Sequence, residues 1–91
     1  MNVNLTNQVA LVTGAARGIG QAIADAFAGN GARVFYTDID LAGATEAAAR
    51  SPGARALALD VSDAAQIDAV LAEIIRDGSR LDIVVRAADH Q

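Results

Sequence analysis

The sequence predicts an α/β fold, a partial doubly wound parallel sheet in the order βαβαβαβ. Short runs rich in Val, Ile, Leu and Ala alternate with stretches whose apolar residues recur at helical spacing. The connections between them are short and punctuated by Gly, Asn, Asp, Ser and Pro. Alternation of this kind builds a parallel sheet, because each strand returns to the next through a helix. Right-handed crossovers, with the third jumping back past the first strand, give the strand order 3-2-1-4. A crevice then opens above the first strand, where the order reverses. No linker, repeat or low-complexity tract interrupts the 91 residues, so residues 1–91 are read as one domain.

The first strand is read at Gln8-Val9-Ala10-Leu11-Val12, and it enters a Gly-rich turn from Thr13 to Arg17. Ile19, Ala22, Ile23, Ala26 and Phe27 then form the apolar stripe of a helix that Gly29-Asn30-Gly31 stops. A second strand, Arg33–Thr37, ends at Asp38. Asp40 is placed to cap an Ala-rich helix over about Leu41–Arg50, although Gly43 weakens its stripe. Ser51-Pro52-Gly53 makes a turn into a third strand, Ala54–Leu59, which ends at Asp60-Val61. Ser62 and Asp63 are both candidate caps for a third helix, whose stripe is Ile67, Val70, Leu71, Ile74 and Ile75 and which closes near Gly78. The last strand is Leu81–Val85.

Composition narrows the function. A chain this short buries only roughly 60–65% of the surface that its unfolded form exposes, and without Cys it has no disulfide, thiol nucleophile or Cys-ligated zinc. Hydrophobic residues make up 53% and aromatics 3%, so the core is expected to be closely packed Ala, Val, Ile and Leu. A net charge of −4 argues against nucleic acid or an anionic membrane as partner. No apolar run approaches a membrane span and the start, Met1-Asn2-Val3-Asn4, has no leader pattern, so a cytoplasmic location is expected. All seven basic residues are Arg, which excludes a lysine Schiff base or a P-loop lysine in this chain.

Thr13-Gly14-Ala15-Ala16-Arg17-Gly18-Ile19-Gly20 lies where a strand hands over to a helix. Gly14 permits a tight turn, Gly18 lets backbone approach a pyrophosphate, and Gly20 lets the helix lie close on the sheet. The helix N-terminus offers free N–H groups and positive potential to phosphates. Asp38 follows Gly20 by 18 positions, at the tip of the second strand. A carboxylate there accepts ribose hydroxyls and repels a 2′-phosphate, which favours NAD over NADP. Asp38 and Asp60 also fit ordinary turn or cap roles, and Tyr36, inside a strand, reads as a packing residue.

With these residues in place the chain resembles the short-chain dehydrogenase/reductase family, whose fold is of the Rossmann type. The T-G-x-x-x-G-x-G turn, Asp38, Asp60-Val61 and Leu81-Asp82-Ile83-Val84-Val85 match in order and spacing from about Leu5 to Val85. The resemblance implies that Gly14, Arg17, Gly18, Ile19 and Gly20 line the pyrophosphate, that Asp38 holds the adenosine ribose, and that Asp60 and Val61 contact adenine. It also implies an oxidoreductase that transfers hydride between an alcohol/carbonyl pair and NAD, with NADP the lesser alternative because Arg17 stands where NADP-binding members often carry Arg.

The resemblance weakens after Val85. Where the family has Asn-Asn-Ala-Gly this sequence has Arg86-Ala87-Ala88-Asp89, followed by His90-Gln91. The family's Ser and Tyr-x-x-x-Lys have no counterpart, so no catalytic residue is assigned and the 91 residues alone are expected not to transfer hydride. No metal site is expected either. The last strand is expected to be an apolar edge that pairs with a second copy or a partner chain. Two other readings therefore remain beside a cofactor-binding half: an interaction module working through strand 81–85, and a non-functional truncated remnant.

Overall fold

The computed structural model describes residues 4–78 and 80–87. Ala88, Asp89, His90 and Gln91, on which the departure from the family pattern partly rests, lie outside the described residues, as do Met1, Asn2 and Val3. The elements run β1 (Val9–Thr13), α1 (Gly18–Gly29), β2 (Arg33–Asp38), α2 (Leu41–Ala48), β3 (Arg55–Ala58), α3 (Ala64–Gly78) and β4 (Ile83–Arg86). All three strand pairings are parallel and the order is β3-β2-β1-β4, as the alternation of elements requires. In register, Val12 lies between Tyr36 and Val85, and Thr13 between Thr37 and Arg86, so the carboxyl ends of β1, β2 and β4 finish level.

β1 and β2 are buried along almost their whole length because both sheet faces are covered. On one face Ala10, Val12, Val34 and Tyr36 pack with Ala24 of α1 and Ala44, Ala47 and Ala48 of α2. On the other, Val9, Leu11 and Phe35 pack with Val70 and Ile74 of α3. Small side chains dominate the first face, which lets two helices sit close to the sheet. The α3 face is built from larger ones.

The helical stripe of α1 is turned from the sequence-based expectation. Gly20 and Ala24 are its buried positions, with Ile23, Phe27 and Ala28 partly buried, whereas Ile19 is 73% exposed and Ala22 and Ala26 face solvent. The reason is steric: the close approach selects the glycine and alanine line, so the bulkier Ile19 is left outside. The stripe of α3 holds except at Ile75, which is exposed. Its N-terminal cap is Asp63, whose carboxylate accepts from the N–H groups of Ala65 and Gln66. Ser62 is not the cap, because its N–H and hydroxyl both donate to Asp60.

β4 begins two residues later than the sequence suggests, because Asp82 has another task. Its N–H donates to the Val9 carbonyl (2.9 Å) while its Oδ2 accepts from the Val9 N–H (2.8 Å), a clasp that fixes β4 on β1. Arg80 holds the other oxygen at 2.6 Å, and together with the Val9 N–H it keeps the Asp82 carboxyl below the usual range.

Candidate functional site

The turn from β1 to α1 is shaped by β2. The Ala15 N–H donates to the Thr37 carbonyl and the Ala16 N–H to Asp38 Oδ2, both at 3.0 Å. Thr37 Oγ1 in turn donates to the Val12 carbonyl (2.9 Å), so the end of β2 holds the end of β1 and the first half of the turn. Gly14 and Gly18 both have positive φ, +66° and +65°, a region that costs a residue with a Cβ roughly 1–2 kcal/mol. Their surroundings differ. A Cβ on Gly14 would stand 2.5 Å from the Ala87 carbonyl oxygen, whereas one on Gly18 would meet nothing within 4 Å. Gly14 is therefore needed for packing, and Gly18 borders open space. Gly20 has no room either, because a Cβ there would overlap the Gly14 carbonyl.

α1 begins without a side-chain cap. Arg17 holds the cap position in extended backbone (φ −163°) and makes no capping bond, and the first turn carries no acidic residue. The N–H groups of Gly18, Ile19 and Gly20 have no hydrogen-bond acceptor among the described residues. By contrast α2 is capped by Asp40, whose Oδ1 accepts from the Gly43 N–H at 3.0 Å, and α3 by Asp63. An anion at the start of α1 would satisfy the donors that α2 and α3 satisfy internally.

Beside the turn, at the carboxyl ends of the strands, lies a cleft of about 320 Å³ lined by Thr13, Gly14, Asp38, Ile39, Leu59, Asp60, Val61 and Ala87. It brings together Gly14, Asp38, Asp60 and Val61 of the residues singled out in the sequence. Gly18 and Gly20 lie along the turn beside it. Arg17 and Ile19 do not enter: the Arg17 guanidinium turns to Asp40, at 2.6 Å, and Ile19 projects into solvent from the first turn of α1.

Asp38 is half-buried and uses both oxygens locally, Oδ2 for Ala16 and Oδ1 for the Asp40 N–H (3.0 Å). Each oxygen keeps a second lone-pair direction, so the carboxylate can serve the turn and a hydroxyl ligand together. Ser62 donates twice to Asp60 Oδ1, from its hydroxyl (2.6 Å) and its N–H (3.0 Å), which holds the Asp60 carboxyl below its ordinary range. Ile39 was missed by sequence reasoning. It is 72% exposed and directly follows β2, so it and Val61, 41% exposed, give the cleft two apolar walls. An apolar residue straight after a strand-end Asp was the available signal.

Tyr36 stands apart from the cleft. Its hydroxyl donates to Asp25 Oδ1 (2.6 Å) and lies 2.9 Å from Ser51 Oγ, beneath α1 and α2. It is wholly buried, which fits a packing role. Among the described residues no three His, Cys, Asp or Glu side chains cluster as metal ligands would. None of the described helices is long and apolar enough to cross a membrane.

A parallel sheet ordered 3-2-1-4 that alternates with helices, with a Gly-rich turn leading from β1 into α1, defines a Rossmann-type α/β protein. The short chain dehydrogenase family model matches residues 8–91, and the chain belongs to that family. It is 53% identical over 87 residues to galactitol 2-dehydrogenase of Agrobacterium fabrum, which covers 94% of this chain and 34% of that one. Sorbitol dehydrogenase of Cereibacter sphaeroides is 46% identical over the same length, with the same two shares covered. The fold matches the crystal structure of 3-ketoacyl-(acyl-carrier-protein) reductase from Brucella melitensis complexed with NADH, with a TM-score of 0.85 and 38% identity over 89% of this chain and 34% of that one. The chain thus spans about a third of the length of these relatives.

Proposed function

We propose that this chain is the dinucleotide-binding part of a dehydrogenase that uses NAD to interconvert an alcohol and its carbonyl compound. The observation that carries the reading is the pairing of the uncapped start of α1 with the Asp38 carboxylate at the mouth of the cleft, whose oxygens each keep a second lone-pair direction. The pyrophosphate would take the N–H groups of Gly18, Ile19 and Gly20, with the open space over Gly18 admitting it. Asp38 would accept from the adenosine ribose hydroxyls, and the adenine would lie between Ile39 and Val61 with Asp60 at its edge. The same carboxylate disfavours a 2′-phosphate, so NAD is the coenzyme and NADP the weaker ligand.

The nicotinamide of the bound coenzyme supplies the hydride acceptor or donor. This chain binds and orients the adenosine and pyrophosphate end. Two relatives are named for sugar alcohols, galactitol and sorbitol, which supports a polyol as the alcohol of the whole protein's reaction.

Equilibrium titration with NADH and NADPH tests the coenzyme reading. NADH is expected to bind more tightly than NADPH. Asp38→Asn, which loses charged acceptors worth roughly 1.5–3 kcal/mol each, should weaken NADH by tenfold or more and narrow the gap to NADPH. A folded sample that binds neither coenzyme would remove the proposal.

A second reading concerns association. β4 is the outer strand of the described sheet, Val84 on it is 57% exposed, and a 210 Å³ apolar groove runs beside it between Leu11, Ile67, Leu71 and Val84. A second copy pairing through β4 would cover both strand edge and groove. Light scattering should then give a dimer that Val84→Lys returns to monomer, whereas a monomeric parent chain rejects the pairing.

A further inference from the structure

Asp40 is bound on every side but one. Its N–H donates to Asp38 Oδ1, its carbonyl accepts from the Ala44 N–H, and its Oδ1 accepts from the Gly43 N–H, each at 3.0 Å. These three bonds fix the carboxylate and leave Oδ2 facing the β1–α1 turn. There it meets Arg17 Nη2 at 2.6 Å. Gly43 makes the arrangement possible, because a Cβ at that position would lie 2.6 Å from Asp40 Oδ2 and 3.0 Å from the Ala16 Cβ. The first-turn glycine that weakens the α2 stripe is where this carboxylate and the turn are seated.

The consequence is electrostatic. The segment that carries Asp38 also carries the carboxylate of Asp40, and the turn whose Ala16 N–H donates to Asp38 also carries the cation Arg17, which is paired with Asp40. Exposed pairs contribute little to stability. This one acts instead by position, since Ala16, the neighbour of Arg17, donates to Asp38 and Asp40 does the same from the other side. A guanidinium freed from Asp40 would be within its own side chain's reach of a phosphate on the ribose that Asp38 holds.

We propose that Asp40 is a positioning residue for coenzyme selection, which keeps Arg17 from a 2′-phosphate and so makes the site discriminate against NADPH. The inference rests on the proposed binding of a dinucleotide with its ribose at Asp38. Discrimination then has two parts, repulsion by Asp38 and withdrawal of the cation that would offset it, and the second part resides in a residue outside the cleft lining.

Asp40→Asn separates the parts, because Asn caps a helix as well as Asp does but carries no charge to hold Arg17. The ratio of the NADPH to NADH dissociation constants should fall about tenfold, the effect of one charge-assisted phosphate contact. Adding Arg17→Ala to Asp40→Asn should restore the parent ratio, which loss of a cap would not do. The melting temperature of each variant reports folding, and Asp40→Ser provides a second capping residue without charge. A parent chain that binds NADH, with variants that bind it and keep the parent ratio, overturns the role of Asp40 and leaves the binding proposal standing. A parent chain that binds neither coenzyme removes both.

Discussion

Asp38 shapes the turn that it is proposed to share with a ligand. Its two oxygens hold the N–H groups of Ala16 and Asp40, so removing the carboxylate loosens the turn as well as the ribose contact. Tyr36 offers a cleaner single-residue test. Burial, with the Asp25 carboxylate adding to it, pushes its phenol from the ordinary 10.0 up to about 12. The raised value favours the neutral phenol in the folded chain. The stability it contributes is therefore complete below pH 10 and is lost as pH climbs from 10 through 12. Tyr36 is the one tyrosine in the sequence, so phenolate absorbance reads it directly. The folded chain should titrate near pH 12 and the denatured chain near 10, and a single midpoint near 10 in both would contradict the buried hydroxyl. At this scale the glycines were legible in the sequence, because positive φ and close approach tolerate little else. The direction of Arg17 was not, since it depends on Asp40, which lies 23 residues away along the chain.

Each helix is placed by a different balance of cap and stripe. α3 has the strongest stripe, and Asp63 satisfies two of the N–H groups at its start. Asp63→Ala should lower the stability of the chain by about 1 kcal/mol in urea melts, whereas Ser62→Ala, which touches only Asp60, should cost less. Equal losses from the two variants would contradict the assignment of the cap. α1 was legible as a helix but not in phase, because its large apolar residues suggested one face and the packed interface selected Gly20 and Ala24. α2 was legible from Asp40 despite Gly43, and the structure turns that glycine from a flaw into the seat of a carboxylate. The strand order followed from alternation and handedness alone. The start of β4 did not, because Asp82 joins it to Val9 through a side-chain bond that periodicity does not register.

Across the whole molecule a network of charges centred on Asp77 ties α3 to β2 and β3 at the sheet end opposite the cleft. Asp77 near the end of α3 takes Arg33 of β2 at 2.8 Å and Arg55 of β3 at 3.0 Å, and Arg55 also reaches Glu73 at 3.2 Å. Arg55 above all holds the Asp77 carboxyl below its ordinary range. The cleft end instead carries N–H groups at the start of α1 with no acceptor among the described residues, and the carboxylates of Asp38 and Asp60. A dinucleotide is proposed to bind with its phosphates on the start of α1 and its ribose at Asp38. The most direct measurement is an amide NMR titration of the isotope-labelled chain with NADH. Saturable shifts at Gly18, Ile19 and Gly20, joined by Ile39 and Val61, are the predicted result. Unmoved amides at millimolar NADH, or shifts confined to residues away from this turn, would contradict it.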